Sequence, residues 1–189
     1  EQFKKRFIAE DKTAAGATAY LSKLESSAKA AKQKELEGKM IDEPSAPFNL
    51  TNLEGKTVSL ESLRGKVVVV DFWATWCGPC KASFPGMQLA VNQYKNDPGV
   101  AFVFIDSWEK GAEKTKNAAD FIASKGYTFN VLLDNDDKVI TSYGVSGIPT
   151  KYVLDRNGKI RFKAIGFEGS DEGLAEELSL MIEATRGQP

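Results

Sequence analysis

The chain has two cysteines, Cys77 and Cys80, and only Gly78 and Pro79 separate them. A disulfide across two residues closes too small a loop to stabilise a fold by much. The same spacing suits reversible thiol–disulfide exchange where a strand leads into a helix. The sulfur of Cys77 would then lie at the helix N-terminus, whose free N–H groups and positive dipole favour its thiolate. Cys80, one turn later, would be shielded but close enough to displace a mixed disulfide.

Gly78 permits a tight entry into that helix, and Pro79 suits its first turn. Asp71 lies six residues before Cys77, at the end of the apolar run 67–70. A carboxylate on a buried strand is costly without a partner or a function, and burial raises its pKa. We expect Asp71 to take the proton of Cys80, through a water, when Cys80 attacks the mixed disulfide. The alternative is an ordinary carboxylate at a strand end, solvated or hydrogen-bonded.

The third chemical feature is the segment Gly147-Ile148-Pro149-Thr150, which lies just before a predicted strand. A cis bond before Pro149 costs little and would turn the backbone of Ile148 toward the sulfurs, as an edge for an extended substrate. A trans proline that starts an edge strand is the alternative. The sequence leaves both open.

Composition excludes several other classes of function. Of the 189 residues, 42% are hydrophobic and 27% are charged, as in soluble globular proteins. A net charge of -1 gives no reason to expect a nucleic acid or an anionic membrane as partner. The chain has no histidine, which excludes Ser-His-type triads and most zinc sites. Two cysteines alone cannot form a closed metal site, so we expect no metal.

From about residue 41 onward, strand-like and helix-like segments alternate. Apolar, β-branched runs predict buried central strands over 66–73 and 100–106. Glu54-Gly55 and Asn157-Gly158 each predict a hairpin turn. The other predicted elements are helices over 79–96, 114–126, 136–144 and 171–185 and a short strand over 129–134. This order predicts an α/β fold with a mixed central sheet and helices on both faces.

The first 38 residues differ from the rest, because they are rich in Ala, Lys and Glu and contain no proline. Their apolar residues recur at helical spacing, which predicts a helix that Gly16 could divide in two. This stripe either packs on its own or a missing domain, or pairs in a coiled coil. The proline-rich segment 43–47 marks a boundary, which predicts a helical extension over 1–40 and a folded domain over 41–189.

These features together resemble the thioredoxin superfamily. "VDFWATWCGPCK" is close to the thioredoxin active-site segment, and "GIPT" resembles its cis-proline loop. Within the superfamily the chain is most similar to the TlpA/ResA-like branch. The similarity lies in the hairpin leading into the motif, the helix-and-strand insertion around 107–134, and "YGVSGIPTKYVLDRNGKI". It covers about residues 41–185 and implies a thioredoxin fold, a mixed sheet flanked by helices with an N-terminal β-hairpin.

The resemblance also implies roles for individual residues. Cys77 would be the nucleophile, Cys80 the resolving thiol, Asp71 the buried acid, Pro149 the cis-proline, and Pro85 a proline that kinks the helix. The residues assigned to an apolar substrate-binding surface are Trp76, Gly78, Pro79, Ile148, Thr150 and Gly166.

Three positions depart from the family patterns. Ser83 stands where many TlpA/ResA-like members have a glutamate, and Asp71 replaces their usual amide, as in thioredoxin. Phe102 stands where thioredoxins have the lysine that partners the buried acid. We therefore expect Asp71 to lack a counter-charge, which would raise its pKa further.

The resemblance implies a thiol–disulfide oxidoreductase that reduces protein disulfides, with the disulfide of Cys77 and Cys80 as its redox group and no dissociable cofactor. Its expected partners are protein disulfides and a reducing electron-donor protein, fed from a membrane carrier in a periplasmic or otherwise extracytoplasmic setting; a cytoplasmic setting stays open. The alternative is a binding or assembly module with a thioredoxin-like scaffold. We disfavour a peroxiredoxin, because no arginine lies near the thiols and no cysteine follows a Pro-x-x-x-Thr segment.

Targeting signals are absent from the given sequence. It contains no run of about 18 apolar residues, so we expect no membrane span. It has no charged start followed by an apolar stretch, so we expect no signal peptide. We interpret a chain that starts at Glu1 as a fragment or a processed form, which leaves its compartment open.

Overall fold

The computed structural model describes residues 14–187, which belong to two compact units that meet in the sequence between Lys39 and Met40. In the first unit, helix α1 spans Ala14–Glu37 and contains Gly16. The part of the predicted stripe before Ala14 lies outside the described residues. Leu21 and Leu24, on the stripe, are 43% and 40% exposed. Among the described helices, none is long and apolar enough to cross a membrane.

The second unit is built on one eight-stranded sheet with the spatial order β1-β8-β7-β4-β5-β6-β2-β3. The strands are β1 (Glu43–Pro44), β2 (Asn49–Asn52), β3 (Thr57–Ser59), β4 (Val67–Trp73), β5 (Val100–Asp106), β6 (Val131–Leu133), β7 (Thr150–Leu154) and β8 (Lys159–Ile165). The helices are α2 (Gly78–Tyr94), α3 (Lys114–Lys125), α4 (Lys138–Ser142) and α5 (Asp171–Arg186). β5 pairs in parallel with β4 and β6, and the other neighbours are antiparallel.

Strand β4 lies at the centre of the sheet, and all seven of its residues are buried. This explains its continuous apolar run, since a strand covered on both faces needs apolar side chains on both. Its register places Asp71 opposite Phe104 of β5 and Lys151 of β7. Directly paired residues point to the same face of a sheet, so these three side chains share one face.

Helices α2 and α5 approach closely at Gly86. A β-carbon at that position would lie 2.8 Å from the carbonyl oxygen of Asp171 and 3.2 Å from the β-carbon of Leu174. The start of α5 is capped as the sequence predicts, because Ser170 Oγ accepts a hydrogen bond from the N–H of Gly173. Only glycine therefore fits where the two helices meet.

The predicted α/β architecture is confirmed, including both hairpins and the buried strands. Strand β6 is shorter than predicted, because it begins at Val131 rather than at residue 129. Phe129 instead stacks its ring on Phe104 and Tyr127, with centroid distances of 3.8 and 4.8 Å. Aromatic packing in the helix-and-strand insertion thus replaces the first part of the expected strand.

Candidate active site

The two cysteines lie at the junction of β4 and α2 and are joined in a disulfide, with 5.3 Å between their Cα atoms. Cys77 is the N-cap of α2. Its sulfur accepts a hydrogen bond of 3.1 Å from the N–H of Cys80. A free N–H at a helix start stabilises negative charge, so this geometry favours a thiolate on Cys77 after reduction.

The two cysteines are both buried, but not equally. Cys77 is 3% exposed and Cys80, which was expected to be shielded, is fully buried. The remaining solvent access is therefore to Cys77. Its neighbours in the sequence, Trp76, Gly78 and Pro79, are all exposed and form a rim around it.

The Pro149 loop lies against the disulfide. The peptide bond between Ile148 and Pro149 is cis. The carbonyl oxygen of Ile148 lies 3.7 Å from Sγ of Cys77. The oxidised sulfur carries no hydrogen, so this is a contact in the disulfide state and a potential hydrogen bond for the thiol. The loop is held from β8, because the N–H of Gly166 donates to the carbonyl oxygen of Pro149 over 2.8 Å.

An apolar surface surrounds this junction. Trp76 is 46% exposed, Ile148 is half-buried and Gly166 is exposed. Sequence reasoning missed Ile165, which is 64% exposed and pairs with Thr150 beside the cis-proline loop. The apolar residue at the end of β8 reads as an ordinary strand residue, so the sequence carries no signal for it.

The side chain of Thr150 does not join that surface. Thr150 is 1% exposed, and its hydroxyl donates to the carbonyl oxygen of Gly147 over 2.6 Å. The hydroxyl thus closes the turn of the cis-proline loop from inside. We correct the expected role of Thr150 from substrate contact to support of the loop.

Asp71 is fully buried, as expected, but it has a counter-charge. Lys151 Nζ lies 3.4 Å from Asp71 Oδ1, and Lys151 is itself only 2% exposed. The expectation of an unpaired acid is therefore wrong. The lysine comes from β7 rather than from β5, where Phe102 stands. Sequence could not give this pairing, because it depends on the register of two strands far apart in the chain.

Burial raises the pKa of Asp71, and the positive charge of Lys151 offsets only part of that effect. Within residues 14–187, neither carboxylate oxygen of Asp71 accepts a hydrogen bond of good geometry. Both oxygens can therefore still accept a proton or a hydrogen bond from a water molecule.

Cys80 lies on the helix face that covers Asp71. Phe84, one turn after Cys80 in α2, packs its ring 5.9 Å from Phe104, the direct neighbour of Asp71 in β5. Ser83, which stands where relatives have glutamate, is fully buried and donates its hydroxyl to the carbonyl oxygen of Cys80 over 2.8 Å. Asp71 therefore lies on the sheet face that α2 covers.

The loop after β5 also reaches the junction, and sequence reasoning missed the role of Glu109 in it. Glu109, 8% exposed, accepts two hydrogen bonds from Thr75, one from the backbone N–H and one from the hydroxyl. The indole N–H of Trp76 donates to the carbonyl oxygen of Trp108 over 2.8 Å. The ring of Trp108 packs on the buried core. A polar side chain so soon after a buried strand was the available signal.

The residues that the structure describes contain no cluster of three or more side chains suited to holding a metal ion. The chemistry available at the junction is therefore that of two sulfurs, one buried acid and a backbone edge. That combination fits thiol–disulfide exchange, in which a thiolate attacks a disulfide and the second thiol resolves the product.

Known proteins share these features. The model of the AhpC/TSA family matches residues 41–163. The thiol-disulfide oxidoreductase ResA of Bacillus thuringiensis (strain Al Hakam) is 36% identical over 126 residues, which are 66% of this chain and 69% of that protein. ResA of Bacillus subtilis (strain 168) is 40% identical over 116 residues, 60% of each chain.

Among solved structures, StoA from Bacillus subtilis superposes with a TM-score of 0.59 at 28% identity, over 70% of this chain and 96% of that one. The helical unit before Met40 lies outside the family match. With its thioredoxin fold and its disulfide at the start of α2, the chain belongs to the AhpC/TSA family, in which its similarity is to the ResA thiol-disulfide oxidoreductases.

Proposed function

We propose that the protein reduces disulfides of other proteins by exchange with the dithiol of Cys77 and Cys80. The observation that carries this proposal is the position of the disulfide: Cys77 caps α2 and receives the N–H of Cys80, while Cys80 is buried. This position favours the thiolate of Cys77, the nucleophile, and shields Cys80 until the resolving step.

In the first step, the thiolate of Cys77 attacks one sulfur of the substrate disulfide. A mixed disulfide forms, the substrate S–S bond breaks, and the other substrate sulfur leaves as a thiolate that takes a proton from solvent. In the second step, Cys80 gives up its proton and attacks Sγ of Cys77. The mixed disulfide breaks, the second substrate thiol is released, and the protein disulfide is restored. Two electrons have then passed from the protein to the substrate.

Asp71 is the proposed acceptor for the proton of Cys80. It lies on the sheet face covered by the helix that carries Cys80, and burial raises its pKa, which suits a group that takes and returns a proton. Lys151, 3.4 Å away, stabilises the ionised form that must exist before the transfer.

Substrate is proposed to bind along the cis-proline loop and the exposed apolar rim. The backbone of Ile148, next to Cys77, offers an edge for an extended peptide segment, and Trp76 supplies apolar contact area. Gly78, Pro79 and Gly166, which are all exposed, are proposed to contribute to the same surface. Pro149 holds the geometry of the loop.

The similarity to the ResA thiol-disulfide oxidoreductases supports a proposal for the setting and the partners. We propose an extracytoplasmic location, a reducing electron-donor protein and protein disulfides as substrates. We also propose that residues 41–189 form the redox domain and residues 1–40 a helical extension.

The alternative, a binding module on a thioredoxin-like scaffold, is favoured by one observation, the exposed Leu21 and Leu24 on α1.

An insulin-reduction assay separates these functions. The wild type should precipitate insulin in the presence of dithiothreitol, and Cys77→Ser should not; equal turbidity from both would favour the scaffold.

The direction of exchange is tested by the reduction potential. Thioredoxin, with the same Gly-Pro pair between its cysteines, has about -270 mV, and a potential above about -180 mV would overturn the role as a reductase.

A further inference from the structure

The segment that follows β5 is bonded to the residues just before the nucleophile. Ser107 N–H donates to the carbonyl oxygen of Trp73 over 2.9 Å, and Trp76 donates its indole N–H to Trp108. Between these contacts, Thr75 gives both of its donors to the carboxylate of Glu109, the hydroxyl over 2.8 Å. The segment therefore follows the active-site loop along its length.

The carboxylate of Glu109 accepts two hydrogen bonds from Thr75, and hydrogen bonds to a charged acceptor are stronger than those between neutral groups. Glu109 is 8% exposed, so water screens its charge little. No ion pair found within residues 14–187 involves Glu109. Its negative charge is thus buried, outside any of those ion pairs, and bonded to Thr75, which precedes Cys77 by two residues in the sequence.

Asp106, the last residue of β5, lies beside Glu109. Burial and, after it, the negative charge of Glu109 raise the pKa of Asp106 to about 9. Of the other charged groups nearby, Asp137 acts in the same direction and Lys114 opposes it. Asp106 therefore holds a proton at neutral pH, and the pair carries one negative charge, that of Glu109.

We propose that Glu109 is a positioning residue that sets how reducing the dithiol is. The negative charge of Glu109 disfavours the thiolate of Cys77, because two like charges repel each other. The two hydrogen bonds that Glu109 accepts hold Thr75 in place. A less stable thiolate makes the reduced protein a stronger reductant, because strong oxidants of this fold are those whose reduced form is stabilised. Glu109 takes up no proton and no electron in the exchange. This inference rests on the proposed function, since it explains the direction of exchange.

An effect of the charge of Glu109 is separated from a purely structural effect by a variant that removes only the charge. Glu109→Gln keeps the size of the side chain and an oxygen that accepts from Thr75, but it removes the charge. Asp106→Asn makes the same acid-to-amide change at the residue beside Glu109. Asp106 is already neutral at pH 7, so this variant changes the side chain without removing a charge and is the matched control.

The test measures alkylation of Cys77 by iodoacetamide in the reduced proteins at about pH 6, and the equilibrium of each protein with glutathione. For Glu109→Gln we expect the alkylation rate to rise about threefold or more, with the equilibrium shifted toward the reduced protein. For Asp106→Asn we expect both readouts within about 1.5-fold of wild type. An unchanged Glu109→Gln, or equal shifts in both variants, would overturn the proposal.

If Glu109→Gln does not fold, the double change of Asp106→Asn with Glu109→Gln decides by the same criterion. Its two amides can hydrogen-bond each other, so it carries no unpaired carboxyl group. Neither readout requires the protein to act as a reductase. Failure of the wild type in the insulin assay would therefore count against the proposed function alone, and an absent charge effect would count against the role of Glu109 alone.

Discussion

At the scale of single residues, the structure differs most from the sequence-based prediction in the partner of the buried acid. The CxxC spacing and the carboxylate six residues earlier pointed to the redox site, because both features are local in the chain. Lys151 and Glu109 could not be assigned from sequence, because strand register and a loop after β5 bring them to the site. Ile165 was missed for the same reason.

Replacing Lys151 should change the pH dependence of the resolving step. Lys151→Met removes the positive charge that favours ionised Asp71, so the pKa of Asp71 should rise and the half-maximal rate should move to higher pH. An aromatic disulfide such as 5,5′-dithiobis(2-nitrobenzoate) releases one coloured thiolate when Cys77 attacks and a second when Cys80 resolves. Stopped-flow absorbance of the second phase across pH measures the effect.

Asp71→Asn is the control for that experiment. The second phase should slow by about a hundredfold, the usual size of a proton-transfer contribution, while the first phase changes little. A second phase whose pH profile is the same in Lys151→Met and wild type would show that Lys151 does not act on the acid.

At the scale of elements, the helices and strands were predictable where periodicity and turn residues agreed. β4 and β5 are apolar except for Asp71 and the final Asp106, and the Asn157-Gly158 turn joins β7 and β8 as expected. The contact between α2 and α5 left no such signal. A glycine inside α2 reads as a weak point of the helix, whereas the structure shows that it lets the two helices meet.

Gly86→Ala should destabilise the protein by about 1–3 kcal/mol, because the new methyl group would overlap the backbone of Asp171. Gly173→Ala, also in a helix, is the matched control, since its methyl group would meet only the hydroxyl of Ser170 at 3.2 Å. That variant should lie within about 1 kcal/mol of wild type. Urea unfolding of the oxidised proteins measures both. Equal losses in the two variants would contradict a specific contact at Gly86.

The loop after β5 should make stability depend on pH through Asp106. Its pKa is raised to about 9, by burial and then by the charge of Glu109, so the folded state keeps a proton that the unfolded state loses near pH 4. Between about pH 4 and pH 9, the free energy of unfolding therefore falls as pH rises.

Asp106→Asn replaces the titrating carboxyl group with an amide, so this cause of the pH dependence is lost. The variant should gain stability relative to wild type as pH rises through this window, as measured by urea unfolding of the oxidised proteins at about pH 5, 7 and 9. A difference in unfolding free energy that stays constant over the three pH values would show that Asp106 titrates alike in both states.

At the scale of the whole molecule, the chain divides into a unit that ends at Lys39 and contains α1, and a unit that begins at Met40 and holds the redox junction. The family match and the disulfide both lie in the second unit. The sequence predicted the boundary from composition and proline content, but nothing in it indicates what the exposed leucines of α1 contact.

A chain that begins at Met40 should therefore keep its insulin-reducing activity within about twofold of the full chain and unfold in one cooperative step. Turbidity kinetics and urea unfolding of both chains test this. Loss of the cooperative transition in the shorter chain would mean that the helical unit is needed for the fold of the redox unit.

The most direct test of the account is site-resolved alkylation of the reduced wild-type protein. Iodoacetamide is applied across a range of pH, and mass spectrometry identifies the modified cysteine. We predict that Cys77 is modified first, with a half-maximal rate below about pH 8.5, the ordinary value for a cysteine thiol, and that Cys80 stays unmodified in the folded protein. Modification of Cys80 as fast as Cys77, or a midpoint for Cys77 at or above about pH 8.5, would contradict the account.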